Sequence, residues 1–303
     1  MIHSILLACL ALLTAIFTVF LFWKTQRWPL HLSAEAAAFG FVANFFDTLG
    51  IGSFAPTTAY IKFRSLIPDE LIPPTLIVGY AIPTAVEALV FINSVGIEPA
   101  LLASCILLSI LGALLGSSVA LALPVRQIRL FMGIGLLVAA TIFALANLGW
   151  MPAGGTATSL GARSFVIAAV VSGFLGVLMN LGIGNYGPQL IALSLLGLDP
   201  RAAFPVMMGS AAFLMLTDGI KLLTLRRLNP AVLLGMAAGG VPAVLIAAFL
   251  VRSLSLHYLR WGVVVVVTYA GIVMLFGAAR PTAQLPSTPP SASARRSRGM
   301  PAP

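Results

Sequence analysis

LGIGSFAP, Leu49 to Pro56, and LGIGNYGP, Leu181 to Pro188, each interrupt a long apolar run, and they are copies of one another at an offset of 132 residues. The register continues beyond them: Leu66 pairs with Leu198, Pro68 with Pro200 and Pro73 with Pro205, so that 8 of the 26 positions from 49 to 74 are identical. About two would arise by chance in so apolar a composition. The chain therefore reads as an internal duplication, with transmembrane units at 34–150 and 163–279. Residues 1–33 add one helix and a basic loop, and 280–303 form a Pro/Ser/Arg tail whose composition predicts disorder.

Composition sets the class. Of 303 residues, 60% are hydrophobic and 8% charged, with a mean hydropathy of +1.06, whereas a soluble domain carries about 25% charged residues. A soluble fold and intrinsic disorder are both excluded. What remains is an all-α polytopic membrane protein, each crossing taking roughly 20 apolar residues. The first run, Ile2 to Trp23, ends in Lys24 and Arg27 rather than at a small-residue cleavage site, which marks a retained helix. The net charge of +9 is scattered singly between apolar runs, where it orients helices instead of binding nucleic acid. Cys9 and Cys105 lie inside apolar runs, and His3, His31 and His257 have no metal-binding spacing, so neither a metal nor another cofactor is expected.

Counting Lys and Arg outside the tail tests two topologies. If each interrupted segment spans once, the chain crosses nine times and 14 basic residues divide seven against seven. If each enters, turns at its glycines and leaves on the same side, seven helices cross. Lys24, Arg27, Lys62, Arg64, Arg126, Arg129, Lys221, Arg226, Arg227 and Arg280 then gather on one face, against Arg163, Arg201, Arg252 and Arg260. Ten against four favours re-entrant segments, an inverted pair of repeats, an external N-terminus and a cytoplasmic tail. One fact resists: Phe165 to Leu181 could by itself cross about 25 Å.

Glycine lets the backbone leave helical geometry, and Pro56 and Pro188 then fall where a first-turn proline is tolerated in a new helix. Ser53 and Asn185 stand just ahead as expected caps. A helix beginning in mid-membrane presents unpaired N–H groups and the positive end of its dipole, which attract an anion. Two such ends would frame one site. It is expected to draw on Asn44, Thr48, Gly50, Gly52, Ser53, Pro56 and Thr57 from the first unit and on Asn180, Gly182, Gly184, Asn185 and Pro188 from the second. The competing explanation is that these glycines only allow close helix packing.

Acidic residues inside apolar runs are functional suspects because burying charge in lipid is costly. Asp47 lies three residues before Gly50 and is the expected carrier of a coupling proton, with Glu87 next in line. Asp218 and Lys221, spaced i, i+3, are expected to form a local ion pair, while Glu87 has no partner nearby in sequence.

GFVANFFDTLGIGSFAP (Gly40 to Pro56), SGFLGVLMNLGIGNYGPQL (Ser172 to Leu190) and the small-residue helix VMMGSA (Val206 to Ala211) resemble the TauE/SafE sulfite exporter family of membrane permeases, over nearly all of Ala36 to Gly277. The family's usual run of three or four glycines is reduced here to Gly-Ile-Gly followed by Ser53 or Asn185, and the N-terminal helix is additional. The resemblance implies export of a small sulfur-containing or organic anion. A secondary transporter working by alternating access in the cell (inner) membrane is thus expected, not an enzyme. Its partners are a small anion, the lipid bilayer and, as an open option, further copies of the chain. The alternatives are a passive anion channel, or an intramembrane enzyme using Asp47 with Asp218. No nucleotide-binding motif is present to power transport by ATP.

Overall fold

The computed structural model describes residues 2–26, 33–150, 155–225, 228–250 and 257–279. The tail after Arg280 and several basic residues, Arg27, Arg226, Arg227 and Arg252 among them, lie outside the described residues. Eleven α-helices account for nearly all of the rest: α1 (Ile2–Thr25), α2 (Ala34–Thr48), α3 (Phe54–Arg64), α4 (Ile72–Ser94), α5 (Pro99–Ala122), α6 (Val125–Asn147), α7 (Ala162–Met179), α8 (Tyr186–Leu195), α9 (Pro200–Leu225), α10 (Pro230–Leu250) and α11 (His257–Ala279). The chain is an all-α polytopic membrane protein. Among the described residues α1, α4 with the turn before it, α5, α6, α7, α9 and α10 are long and apolar enough to cross a membrane, whereas α2, α3 and α8 are not. That α7 qualifies is the feature the sequence count could not accommodate.

Hydrogen bonds between loops sort the helix ends into two groups. At one end, His3 Nε2 lies 3.1 Å from the Ile97 carbonyl, Glu98 N donates to Thr158 O and Asp199 N to Ala157 O. The start of α1, the α4–α5 loop, the approach to α7 and the α8–α9 loop therefore share this end. At the other, Ser33 N donates to Ala231 O, Asn229 N to Thr75 Oγ1, and Arg126 Nε to Ala278 O. The starts of α2, α4, α6 and α10 meet the end of α11 there. Lys24, Lys62, Arg64, Arg126 and Arg129 sit at this second, basic end, and Arg163 and Arg201 at the first.

Neither interrupted segment runs straight through. Glu35 on the first turn of α2 accepts hydrogen bonds of 2.7 Å from Tyr60 OH and from Arg64 Nε on the last turn of α3, and the Phe39 and Tyr60 rings stack at 4.0 Å. In a straight helix the 29 residues between Glu35 and Arg64 would span about 44 Å. Thus α2 and α3 form a hairpin based at the basic end. In the second unit, the Ala157–Leu198 bridge ties the approach to α7 to the exit from α8, making a hairpin based at the opposite end. The two glycine turns are the tips, and they meet inside the bundle.

The packing that holds the hairpins crosses between units. The first rests chiefly on α10 and the second on α5, while α4 and α9 pair at the centre and are the most enclosed of the long helices. Small residues set these distances: a Cβ on Gly112 would overlap the Gly173 carbonyl on α7, and one on Gly239 the Ala37 carbonyl on α2. In an apolar solvent, where burial of apolar surface supplies little drive, such backbone contact is what associates helices. The first helix, α1, lies against α9, α4 and α5 and leaves Leu12, Val19, Phe22 and Trp23 exposed for lipid.

Candidate functional site

Each helix before a tip ends in the same way. Gly50 N donates to Asp47 O and Ile51 N to Phe46 O; 132 residues on, Gly182 N donates to Met179 O and Ile183 N to Leu178 O. Gly50, Gly52 and Gly182 take φ of +87°, +88° and +85°, the left-handed region that glycine enters freely. Gly184 has no positive φ, yet a Cβ there would stand 3.0 Å from Phe54 Cβ. Reciprocally, a Cβ on Gly52 would stand 3.7 Å from Tyr186 Cβ. Each motif's last glycine thus faces the aromatic ring that follows the other's. The glycines serve both turning and packing: three turn the chain, and Gly184 admits a neighbour.

Around the tips lies a buried polar cluster. Ser53 Oγ donates to Asp47 Oδ2 at 2.8 Å. Glu87, from α4, accepts at one oxygen from Thr48 of the first hairpin (2.8 Å) and at the other from Tyr186 of the second (2.7 Å). Thr57 bonds Tyr80 at 2.7 Å. In the second hairpin an amide chain replaces the carboxylates: Asn185 donates to Gln189, and Gln189 to Ser172 and Ser210. Asp47 and Glu87 are both buried, and among the described residues the ion pairs are Lys62–Asp69, Arg64–Glu35 and Arg129–Asp69, none of which reaches them. Among the described residues no cation pairs with these two carboxyls, and the hydroxyl groups of Ser53, Thr48 and Tyr186 bond them.

The expected caps stand at the N-cap positions but make no cap hydrogen bond. Ser53 and Asn185 have right-handed helical backbone and make no side-chain bond to the first turns of α3 and α8, because the Ser53 hydroxyl turns back to Asp47 and the Asn185 amide forward to Gln189. The first-turn N–H groups of both short helices are consequently free of side-chain caps where the tips meet. Pro56 and Pro188 each occupy the third helical position, where no intrahelical acceptor is lost. Between the tips, Asp47, Gly52, Ser53, Gly184, Asn185 and Tyr186 enclose a space of about one water molecule. A second, apolar cleft lined by Gly52, Gly182, Gly184 and Pro188 runs sideways to α6.

Not every expected residue reaches the tips. Asn44 donates to the Gly40 carbonyl within α2, below the tip. Asn180 donates to Ala113 O and lines a separate vestibule at the basic end. The expected Asp218–Lys221 pair does not form: Lys221 reaches across to α5 and donates to Leu114 O, Ser117 and Ser118 instead. Spacing put both on one face, but a four-carbon stem can satisfy its ammonium on a neighbouring helix. The residues missed were Tyr186, Gln189, Ser172, Ser210 and Tyr80. Tyr186 was within reach, because the duplicated motif places a hydroxyl on the second copy's ring where the first has Phe54.

Comparison with curated proteins and with solved structures finds no match to the chain. A family model does match: that described as Sulfite exporter TauE/SafE covers residues 36–274, from the first turn of α2 into α11. Four-fifths of the chain, both hairpins included, thus falls under one family of multi-pass membrane transporters, and the protein belongs to the sulfite exporter TauE/SafE family.

Proposed function

We propose that the protein is a secondary transporter that exports a small anion, such as sulfite, a sulfonate or an organic acid, by alternating access. The observation that carries this is the meeting of two glycine-broken hairpins, based at opposite ends of the bundle, with uncapped helix starts on either side of a water-sized space. Backbone N–H groups and helix dipoles there suit an anionic group. Two inverted units rocking about that point would open it to one side and then the other. The basic end faces the cytoplasm on this reading, which puts the N-terminus outside and the tail inside. Glu87 supports a role in proton coupling better than Asp47 does, since it bonds both hairpins at once, whereas Asp47 is held within its own.

Sulfite flux into proteoliposomes under an imposed pH gradient tests the proposal. Wild type accumulates the anion, and Glu87→Gln loses accumulation while Asp47→Asn retains it. Gly52→Val lowers flux at least about tenfold with membrane insertion unchanged, because valine cannot hold the positive φ of the turn. Flux that merely equilibrates would identify a channel. Full flux in Gly52→Val would remove the tips from the mechanism.

A further inference from the structure

Asp218 stands apart from the site between the tips. It lies on α9 toward the basic end, fully buried, and neither of its carboxyl oxygens accepts a hydrogen bond. The cation that spacing offers it, Lys221, has its ammonium engaged by three acceptors on α5. Ser117 of α5 and Asn180 at the end of α7 lie beside the carboxyl, and Lys221 acts on it through its charge, yet no hydrogen bond to either carboxyl oxygen is formed. Both Ser117 and Asn180 also line the vestibule at the basic end, a cleft of about 360 Å³ lined as well by Glu70 and Val125. One layer of side chains therefore separates this carboxyl from the open cleft.

An ionised carboxylate enclosed with no donor in hydrogen-bonding geometry is unstable in a protein interior. It must either hold a proton or lie against a cation. Its facing groups include the Ser117 hydroxyl, an oxygen of the kind that hard cations take, which the Lys221 ammonium also reaches. We propose that Asp218, with Ser117 and Asn180, is a site for a monovalent cation, a proton or Na⁺, loaded from the basic end through the vestibule. The surrounding elements leave few other charges to compete. On α9 itself there is Lys221. From α1 comes Phe17, against the adjacent Gly219, while His3 and Lys24 sit at that helix's two ends. On α5 the titratable Cys105 is three turns away, and on α7 Arg163 is at the opposite end. On α4, Glu87 and Tyr80 belong to the cluster at the tips. Val86 occupies the position 132 residues before Asp218, so the first unit has no twin of this site.

Which anion the chain carries does not enter the test. Full-length protein in liposomes on a solid-supported membrane, with no anion substrate, is given a Na⁺ jump at constant pH and a pH jump at constant Na⁺. Wild type is expected to give a transient charge displacement to one of them. A Na⁺ response identifies the metal ion and a pH response the proton. Asp218→Asn should reduce that transient at least about tenfold, as loss of a charged partner does. Ser117→Ala should raise the half-saturating cation concentration about fivefold, and it carries the test if Asp218→Asn does not insert. No displacement in wild type, or an unchanged one in both variants, overturns the site. Anion flux measured in the same vesicles separates this outcome from failure of the transport proposal.

Discussion

The two hairpins share a backbone and differ in chemistry. The first carries its own negative group: Asp47 sits beside the start of α3 and accepts from Ser53. In the second the corresponding position is Met179, and the polar groups beside the start of α8 are the neutral amides of Asn185 and Gln189. Asn185 Oδ1 is left without a partner. The bases differ as well. Glu35 and Arg64 pin the first by an ion pair, whereas the second is closed by backbone bonds between 155–158 and 198–199. Duplication thus supplied two anion-attracting helix starts, and one has since been occupied from within. An incoming anion therefore meets less repulsion at the second.

Several substitutions break this comparison or sharpen it. The largest effect on stability is expected for Tyr186→Phe, which removes the bond across the two hairpins and leaves one buried Glu87 oxygen without a donor. Thermal unfolding in detergent should register a loss of about 1–3 kcal/mol. Gly52→Ala comes next: the site has room for a Cβ, so the cost of about 1–2 kcal/mol is that of a left-handed backbone alone. Gly184→Ala should cost less, since its φ is ordinary and only the contact with Phe54 must yield. Equal losses at the two glycines would mean that the tips turn alike. The smallest effect belongs to Arg64→Ala at the exposed base. The Arg64 and Tyr60 hydrogen bonds hold the Glu35 carboxyl below its ordinary value of 4.5. What stability this adds is present above that value and is lost as pH falls through the lower, folded one. A pH titration of unfolding should therefore separate Arg64→Ala from wild type slightly near neutrality and not at all in strong acid.

Much of this was legible in the sequence for a plain reason: lipid requires long apolar helices, and the glycine motifs interrupt them in matching register. That each interrupted segment folds back on itself was legible too, through the distribution of Lys and Arg. Contacts across the fold were not. Glu87 finds Thr48 and Tyr186 at separations of 39 and 99 residues, beyond any local pattern. Where local rules were applied they misled twice. Ser53 stands at the N-cap position of α3 but spends its hydroxyl on an acid six residues back, and Lys221 looked like a partner for Asp218 but had α5 within reach.

The exchange of packing partners between units also imposes an order on biogenesis. The second hairpin leaves the ribosome after α5, the helix it rests on, and has its support waiting. The first rests on α10, which is made only after more than half the chain has followed Arg64. Until Pro230 and the residues beyond it arrive, Gly40 and its neighbours have no surface to close on, and the uncapped start of α3 has to be kept from lipid by water or by the insertion machinery. Nascent chains halted before α10 should therefore leave a cysteine placed at Ala37 open to aqueous reagents, and chains halted after it should not. Late synthesis of a single helix would then decide when the protein becomes impermeable.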